Sequence, residues 1–135
     1  MAIQVNAFFT SMAEAVEFGH EKQLQSLFSR PAVFVTEGEK EVCLTDESIH
    51  EKLSKFIDIA VQNDCYRLSF DIVQLMTLAE DTYFAQVNWQ WLDQHGTVAR
   101  ERISSFTLHD NNNALSIVVC VLDAARITSQ EKAVS

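Results

Sequence analysis

From Tyr66 to Leu122 apolar and polar residues alternate in four long runs separated by short polar segments, a pattern that predicts four strands joined by tight turns. Ala79-Glu80-Asp81-Thr82 predicts a two-residue loop pairing Ala79 with Thr82. Asp93-Gln94-His95-Gly96-Thr97 predicts a type I turn with Gly96 in the left-handed position and Asp93 opposite Thr97. Asp110-Asn111-Asn112-Asn113-Ala114 repeats that pattern, with Asn113 left-handed and Asp110 facing Ala114.

Side chains alternate across a strand, so these turns fix which residues share a face. They predict one apolar face built from Leu68, Phe70, Ile72, Met76 and Leu78, then Tyr83, Ala85, Val87, Trp89 and Trp91. It continues through Ala99, Glu101, Ile103, Ser105 and Thr107, and ends with Leu115, Ile117, Val119 and Val121. The opposite face is half polar, and takes Asp71, Val73, Leu75, Phe84, Gln86, Asn88, Gln90, Arg100, Arg102, Ser104, Phe106, Ser116, Val118 and Cys120. Such a face is suited to solvent or to a subunit contact.

The first half of the chain supplies a cover for the apolar face. Val5, Phe8, Met12, Ala15 and Val16 recur at helical spacing from Ile3 to Phe18, with Gly19 as a stop. Glu21 to Phe28 is a shorter helix carrying Leu24, Leu27 and Phe28, and Pro31 closes that segment before a strand from Val33 to Thr36. A second short strand follows around Val42 to Leu44. Thr45 is placed to cap a third helix whose first turn holds Asp46 and Glu47, with Ile49, Leu53, Phe56, Ile57 and Ala60 as its stripe.

The resulting order is helix, helix, strand, strand, helix and four long strands. With the amphipathic start Ala7 to Ala13, the Trp89-Gln90-Trp91 strand before its turn and the closing Ile117 to Val121 strand, it resembles the nuclear transport factor 2-like superfamily. That superfamily includes the SnoaL-like polyketide cyclases, ketosteroid isomerase and scytalone dehydratase. The resemblance spans about Ile3 to Asp123. It implies an α+β cone, with three helices on a strongly curved, mainly antiparallel sheet of about six strands, a deep pocket for a small apolar or cyclic ligand, and a homodimer formed through the outer sheet face. No local motif transfers the tyrosine and two acids of the isomerases, the His and Asp dyads of the dehydratases or the Asp-Arg-Asp set of the epoxide hydrolases.

At 135 residues and 47% hydrophobic, the chain fits one domain over residues 1–123, followed by a polar tail over 124–135 that is expected to fray. Neither a basic leader with a long apolar run nor a membrane-length stretch is present, so the expectation is a cytoplasmic protein with no membrane partner. The net charge of −9 repels a phosphate backbone and argues against nucleic acid as a partner. Cys43, Cys65 and Cys120 lack paired spacing and read as reduced core thiols. No His pair has metal-ligand spacing, and no cofactor is expected.

Candidate chemistry comes from the polar groups that the predicted register forces onto the apolar face: Gln74, Glu101 and Asp123. Glu101 and Asp123 would converge beside Trp89, where desolvation and mutual repulsion raise one carboxyl pKa toward neutrality and suit it to acid–base work. Gln74, Tyr83, Trp89, Trp91 and Ser105 would line a ligand. The alternative is that the aromatics are plain core and both acids are solvated at the sheet's open edge. Arg100 and Arg102, expected on the half-polar face, would form cross-strand ion pairs with Asp71 or belong to a dimer interface. Two readings of function therefore stand: a small-molecule-binding protein of unassigned activity, with acid–base isomerase, cyclase or dehydratase chemistry left open, or a non-catalytic dimerisation or protein-interaction module with a filled pocket.

Overall fold

A computed structural model describes residues 2–36, 38–62 and 66–122. Asp123 and Cys65 lie outside the described residues, as does the tail over 124–135. Three helices, α1 (Ala2–Glu17), α2 (Glu21–Ser26) and α3 (Asp46–Gln62), accompany six strands. The strands are β1 (Phe28–Thr36), β2 (Glu39–Cys43), β3 (Arg67–Ala79), β4 (Thr82–Leu92), β5 (Val98–Asn111) and β6 (Ala114–Val121). They form one sheet in the order β2-β1-β6-β5-β4-β3, antiparallel except where β1 runs parallel to β6. The α+β architecture expected from the alternation is present.

Local chemistry explains the element boundaries. Thr45 and Ser48 cap α3 reciprocally: the Ser48 backbone N–H donates to the Thr45 hydroxyl (3.1 Å) and the Thr45 N–H donates to the Ser48 hydroxyl (3.2 Å). The second helix ends two residues before the expected limit. Phe28 is already opposite Ile117 of β6, whose N–H donates to the Leu27 carbonyl at 2.8 Å, so the sheet captures residues that propensity alone left helical. The first strand correspondingly runs through Pro31, whose missing N–H falls where the β1–β6 register is interrupted between Phe28 and Val33.

The helices cover one face of the sheet. The Phe9 ring of α1 lies 5.1 Å from Phe106, 6.1 Å from Trp89 and 6.3 Å from Phe70, centroid to centroid. Phe9, Met12, Leu24, Phe34, Ile49, Leu53, Trp89, Trp91, Phe106, Leu108 and Ile117 are the largest fully buried side chains. At the far end of α1 the Glu17 carboxylate accepts the Leu68 backbone N–H at 2.7 Å, which satisfies a donor on the outer edge of β3.

Two of the three predicted turns form as expected. Ala79 pairs with Thr82, and Asp93 and Thr97 face each other, with the Asp93 N–H donating to the Thr97 carbonyl at 2.9 Å and Gly96 at φ +79°. The third does not. Asn111 pairs with Ala114, and both Asn112 (φ +54°) and Asn113 (φ +69°) are left-handed, giving a two-residue loop of type I′ character in which Asp110 faces Leu115 instead of Ala114.

Four irregularities then change the predicted faces. Register shifts fall between Ile72 and Gln74, Thr77 and Ala79, Trp91 and Leu92, and Thr107 and Leu108. Each adds one unpaired residue and exchanges the faces beyond it. Phe70, Ile72, Tyr83, Ala85, Val87, Trp89, Trp91, Leu115 and Ile117 occupy the helical face as predicted. On β5 the alternation is reversed: Arg100, Arg102, Ser104, Phe106 and Leu108 share the helical face, and Glu101, Ile103, Ser105 and Thr107 point the other way. On β6 Cys120 replaces Val119 and Val121 on the helical side, and on β3 Leu75 replaces Met76.

Candidate functional site

Registers across all six strands bring unlike sets of side chains together on the two faces. On the helical face, Phe70, Trp89 and Arg102 form one cross-strand row, and Leu68, Trp91 and Arg100 form the row beside it. Both indoles are 0% exposed, and Trp89 packs edge-on against Phe9 and Phe106. Tyr83 is buried on the same face, with its hydroxyl 3.4 Å from the Glu80 carbonyl. The aromatic candidates named from the sequence thus lie on the face assigned to them, as members of the core.

The polar candidates do not join them. Glu101 is exposed on the outer face, where it pairs with Gln90 across the strands and its carboxylate accepts a hydrogen bond from the Asn88 amide at 2.9 Å. The apolar wall on which the acid–base argument depended is on the other side of the strand. Ser105 is buried on that outer face, its hydroxyl 3.3 Å from the Gln86 amide nitrogen. Gln74 pairs with Gln86 there as well, because the extra residue at Val73 reverses the second half of β3. Asp123 lies outside the described residues, so no convergence of two carboxylates can be drawn.

The outer face has its own order. One row reads Val42, Val33, Val119, Thr107, Phe84 and Met76, crossing every strand of the sheet. The next reads Lys40, Val35, Val121, Ser105, Gln86 and Gln74. Beyond them lie Ile103, Asn88 and Asp71, then Glu101, Gln90 and Ser69, with the Ser69 hydroxyl donating to the Gln90 amide oxygen at 3.0 Å. An apolar stripe therefore adjoins a ladder of amides and hydroxyls that are hydrogen-bonded within the chain. Gln86 is 1% exposed, whereas Val42 and Met76 at the two ends of the apolar row are 58% and 42% exposed.

Titratable groups elsewhere are peripheral. His109 Nε2 lies 3.0 Å from Asp81 Oδ2, and that contact, with the Thr82 hydroxyl on Asp81 Oδ1, holds the Asp81 carboxyl below the usual carboxylate range. Cys43 and Cys120 are buried, unbridged thiols, and burial pushes both upward. A depression of about 310 Å³ between α2 and α3 is lined by Glu21, Lys22, Gln25, Asp46, Glu47 and His50. No cluster of three or more metal-ligating side chains occurs among the described residues, and no described helix is long and apolar enough to cross a membrane.

Comparison with known proteins agrees with this architecture. An NTF-2 like protein of unknown function from Shewanella oneidensis superposes with a TM-score of 0.70 at 11% identity, covering 91% of this chain and 98% of that one. A putative calcium/calmodulin dependent protein kinase II association domain from Xanthomonas campestris gives 0.63 at 15% identity, covering 95% and 90%. A ketosteroid isomerase-like protein from Erwinia carotovora atroseptica gives 0.59 at 11% identity, covering 90% and 94%. At these identities the likeness is one of fold. No curated protein matches the sequence significantly. The family described as NTF2-like protein (DUF6841) matches residues 3–125, nearly the whole chain, and the chain belongs to that family.

Proposed function

We propose that this NTF2-like domain is a self-association module, pairing with a second copy of itself through the outer face of the sheet. The carrying observation is the row from Val42 to Met76, apolar except for Thr107, which crosses all six strands on the face opposite Phe9 and the core. Six strands at about 4.8 Å spacing make it roughly 24 Å wide. The apolar row lies beside a polar ladder whose groups are hydrogen-bonded within the chain, and association surfaces combine the two. The Gln86–Ser105 and Asn88–Glu101 bonds leave few polar groups there for association to strip of partners. The similar Xanthomonas structure is described as an association domain, which supports the same reading.

The helical face favours this reading over acid–base catalysis. Phe9, Trp89 and Phe106 fill the space between α1 and the middle of the sheet, and Glu101 is not among the residues that face it. The proposal assigns no catalytic role to Glu101.

Sedimentation velocity tests it. The unmodified chain is expected to sediment as a dimer, and Met76→Asp combined with Val42→Asp, both at exposed positions that tolerate charge in the monomer, is expected to sediment as a folded monomer. A monomeric unmodified chain, or a double variant that stays dimeric, would reject the outer face as the contact.

A further inference from the structure

We propose that the outer edge of β3, from Gln74 to Ala79, is a docking site for an extended peptide of another protein, apolar in its middle and basic at its flanks. The inference goes beyond self-association and does not depend on it, because it concerns the backbone at the side of the sheet and not the outer face. β3 is the last strand of the sheet, so its far side has no neighbouring strand. Hydrogen-bonding positions alternate along an antiparallel pair. Ala79 and Thr82 close their loop as a bonded pair, and Phe84 and Gln86 repeat the direction of Thr82 opposite Met76 and Gln74. Met76 and Gln74 therefore turn their N–H and C=O groups toward β4, while Leu75 and Thr77 turn theirs outward. The same alternation on the other side of Val73 turns Leu68 outward, and there Glu17 accepts the Leu68 N–H at 2.7 Å. Leu75 and Thr77 have no such cover among the described residues.

Sheet edges are ordinarily guarded by charge, proline, a bulge or shortness, since an open row of N–H and C=O groups pairs with any extended chain. The other edge is guarded in this way: β2 has five residues, and Glu39, Lys40 and Glu41 are among them. β3 has thirteen, guarded by Glu17 at Leu68 and by the extra residue at Val73. Past Val73, the stretch Gln74-Leu75-Met76-Thr77-Leu78-Ala79 contains no charge, proline or glycine, and Met76 and Leu78 are 42% and 52% exposed. Open backbone beside exposed apolar side chains suits strand addition, in which the main chain gives affinity and alternate side chains give specificity. Charge selects the occupant. Asp71 and Glu80 are exposed on either side of the stretch, and Arg67 lies beyond the end that Glu17 covers. A second copy aligned antiparallel about Leu75 would bring Asp71 of each copy near Glu80 of the other, like charge against like. A peptide with lysine or arginine at its flanks meets both acids with unlike charge, and the net charge of −9 favours its approach.

The probe is a fluorescein-labelled synthetic peptide of alternating valine and threonine with a pair of lysines at each end, titrated by anisotropy with the full chain at low salt. Saturable binding is expected. Exchanging the lysines for glutamates should weaken it about tenfold or more. Thr77→Pro removes an outward N–H and leaves the β4 ladder intact, so it should also weaken binding about tenfold or more while circular dichroism shows the fold retained. Amide hydrogen exchange reads the edge without any substitution. Leu75 and Thr77 are expected to exchange fast in the free chain and slowly under saturating peptide, with Gln74 and Met76 slow in both. Absence of saturable binding, equal binding of the glutamate peptide, or exchange at Leu75 and Thr77 that the peptide leaves unchanged would overturn the proposal. Protection of Leu75 that rises with chain concentration in the absence of peptide would assign the edge to a second copy and overturn it as well. Sedimentation of Thr77→Pro, expected to remain dimeric, reads the outer face separately, so either idea can fail without the other.

Discussion

Phe106 shows what a change of face does to one side chain. It is fully buried against Phe9 and Trp89, whereas its neighbour Thr107 lies half-buried on the outer face. Truncation of a packed aromatic leaves a cavity, so Phe106→Ala is expected to destabilise the chain by about 3–5 kcal/mol in urea unfolding. Thr107→Ala should change stability by less than about 1 kcal/mol; a reversed ranking would mean that the strand faces the other way. The sequence contained this signal. Phe106 and Leu108 are larger and more apolar than Ser105 and Thr107, so side-chain size favoured the even positions while turn register favoured the odd ones. Size was the better guide, because the cavity left by a misplaced aromatic costs several times more than a local bulge. The Asp81–His109 contact gives a second residue-level expectation. Because the Asp81 carboxyl is held low mainly by its hydrogen bond with His109, its stabilising effect is present above the usual carboxylate range and is lost as pH falls through the lowered pKa. Carbon-detected titration of His109→Ala should find the Asp81 midpoint moved upward. An unmoved midpoint would remove His109 as the cause.

At the level of elements, turn chemistry was legible wherever the residue types had one solution. Asp93 accepts the N–H groups of His95 (2.8 Å) and Thr97 (3.0 Å), and Gly96 takes the left-handed position, so Asp-x-x-Gly specified that loop by itself. Asn111-Asn112-Asn113 had two solutions, since any of three asparagines tolerates positive φ, and the tighter one formed. With Asn113 at φ +69°, Asn113→Gly should be neutral or stabilising by up to about 1 kcal/mol, and Asn113→Val clearly destabilising, in thermal unfolding. Destabilisation by glycine would contradict the left-handed loop. Bulges were the features that alternation hid. In Ile117-Val118-Val119-Cys120-Val121-Leu122 every residue is apolar, so an extra residue at Val118 leaves no trace in the pattern. On β3, β5 and β6 these irregularities also set which polar groups meet the core.

For the whole molecule, family membership and layer order were readable from the sequence of elements, while the candidate site was not. Trp89, Trp91 and Tyr83 kept their face because β4 carries the turns at both ends and no bulge of its own alternation. Glu101, Ser105 and Gln74 lost theirs because each lies beyond an inserted residue on its own strand. One extra residue near Ala99 thus exchanged an acid for two arginines across from the indoles. The same shift placed Thr107 in the row that joins Val119 to Phe84, completing the outer stripe. The outer row rests on the β4–β5 register. Nuclear Overhauser contacts between the backbone protons of facing residues measure it directly. Contacts joining Asn88 with Ile103 and Gln90 with Glu101 are predicted. Contacts joining Val87 with Ile103 and Trp89 with Glu101 would contradict the account, returning Glu101 to the helical face and Arg102 to the outside.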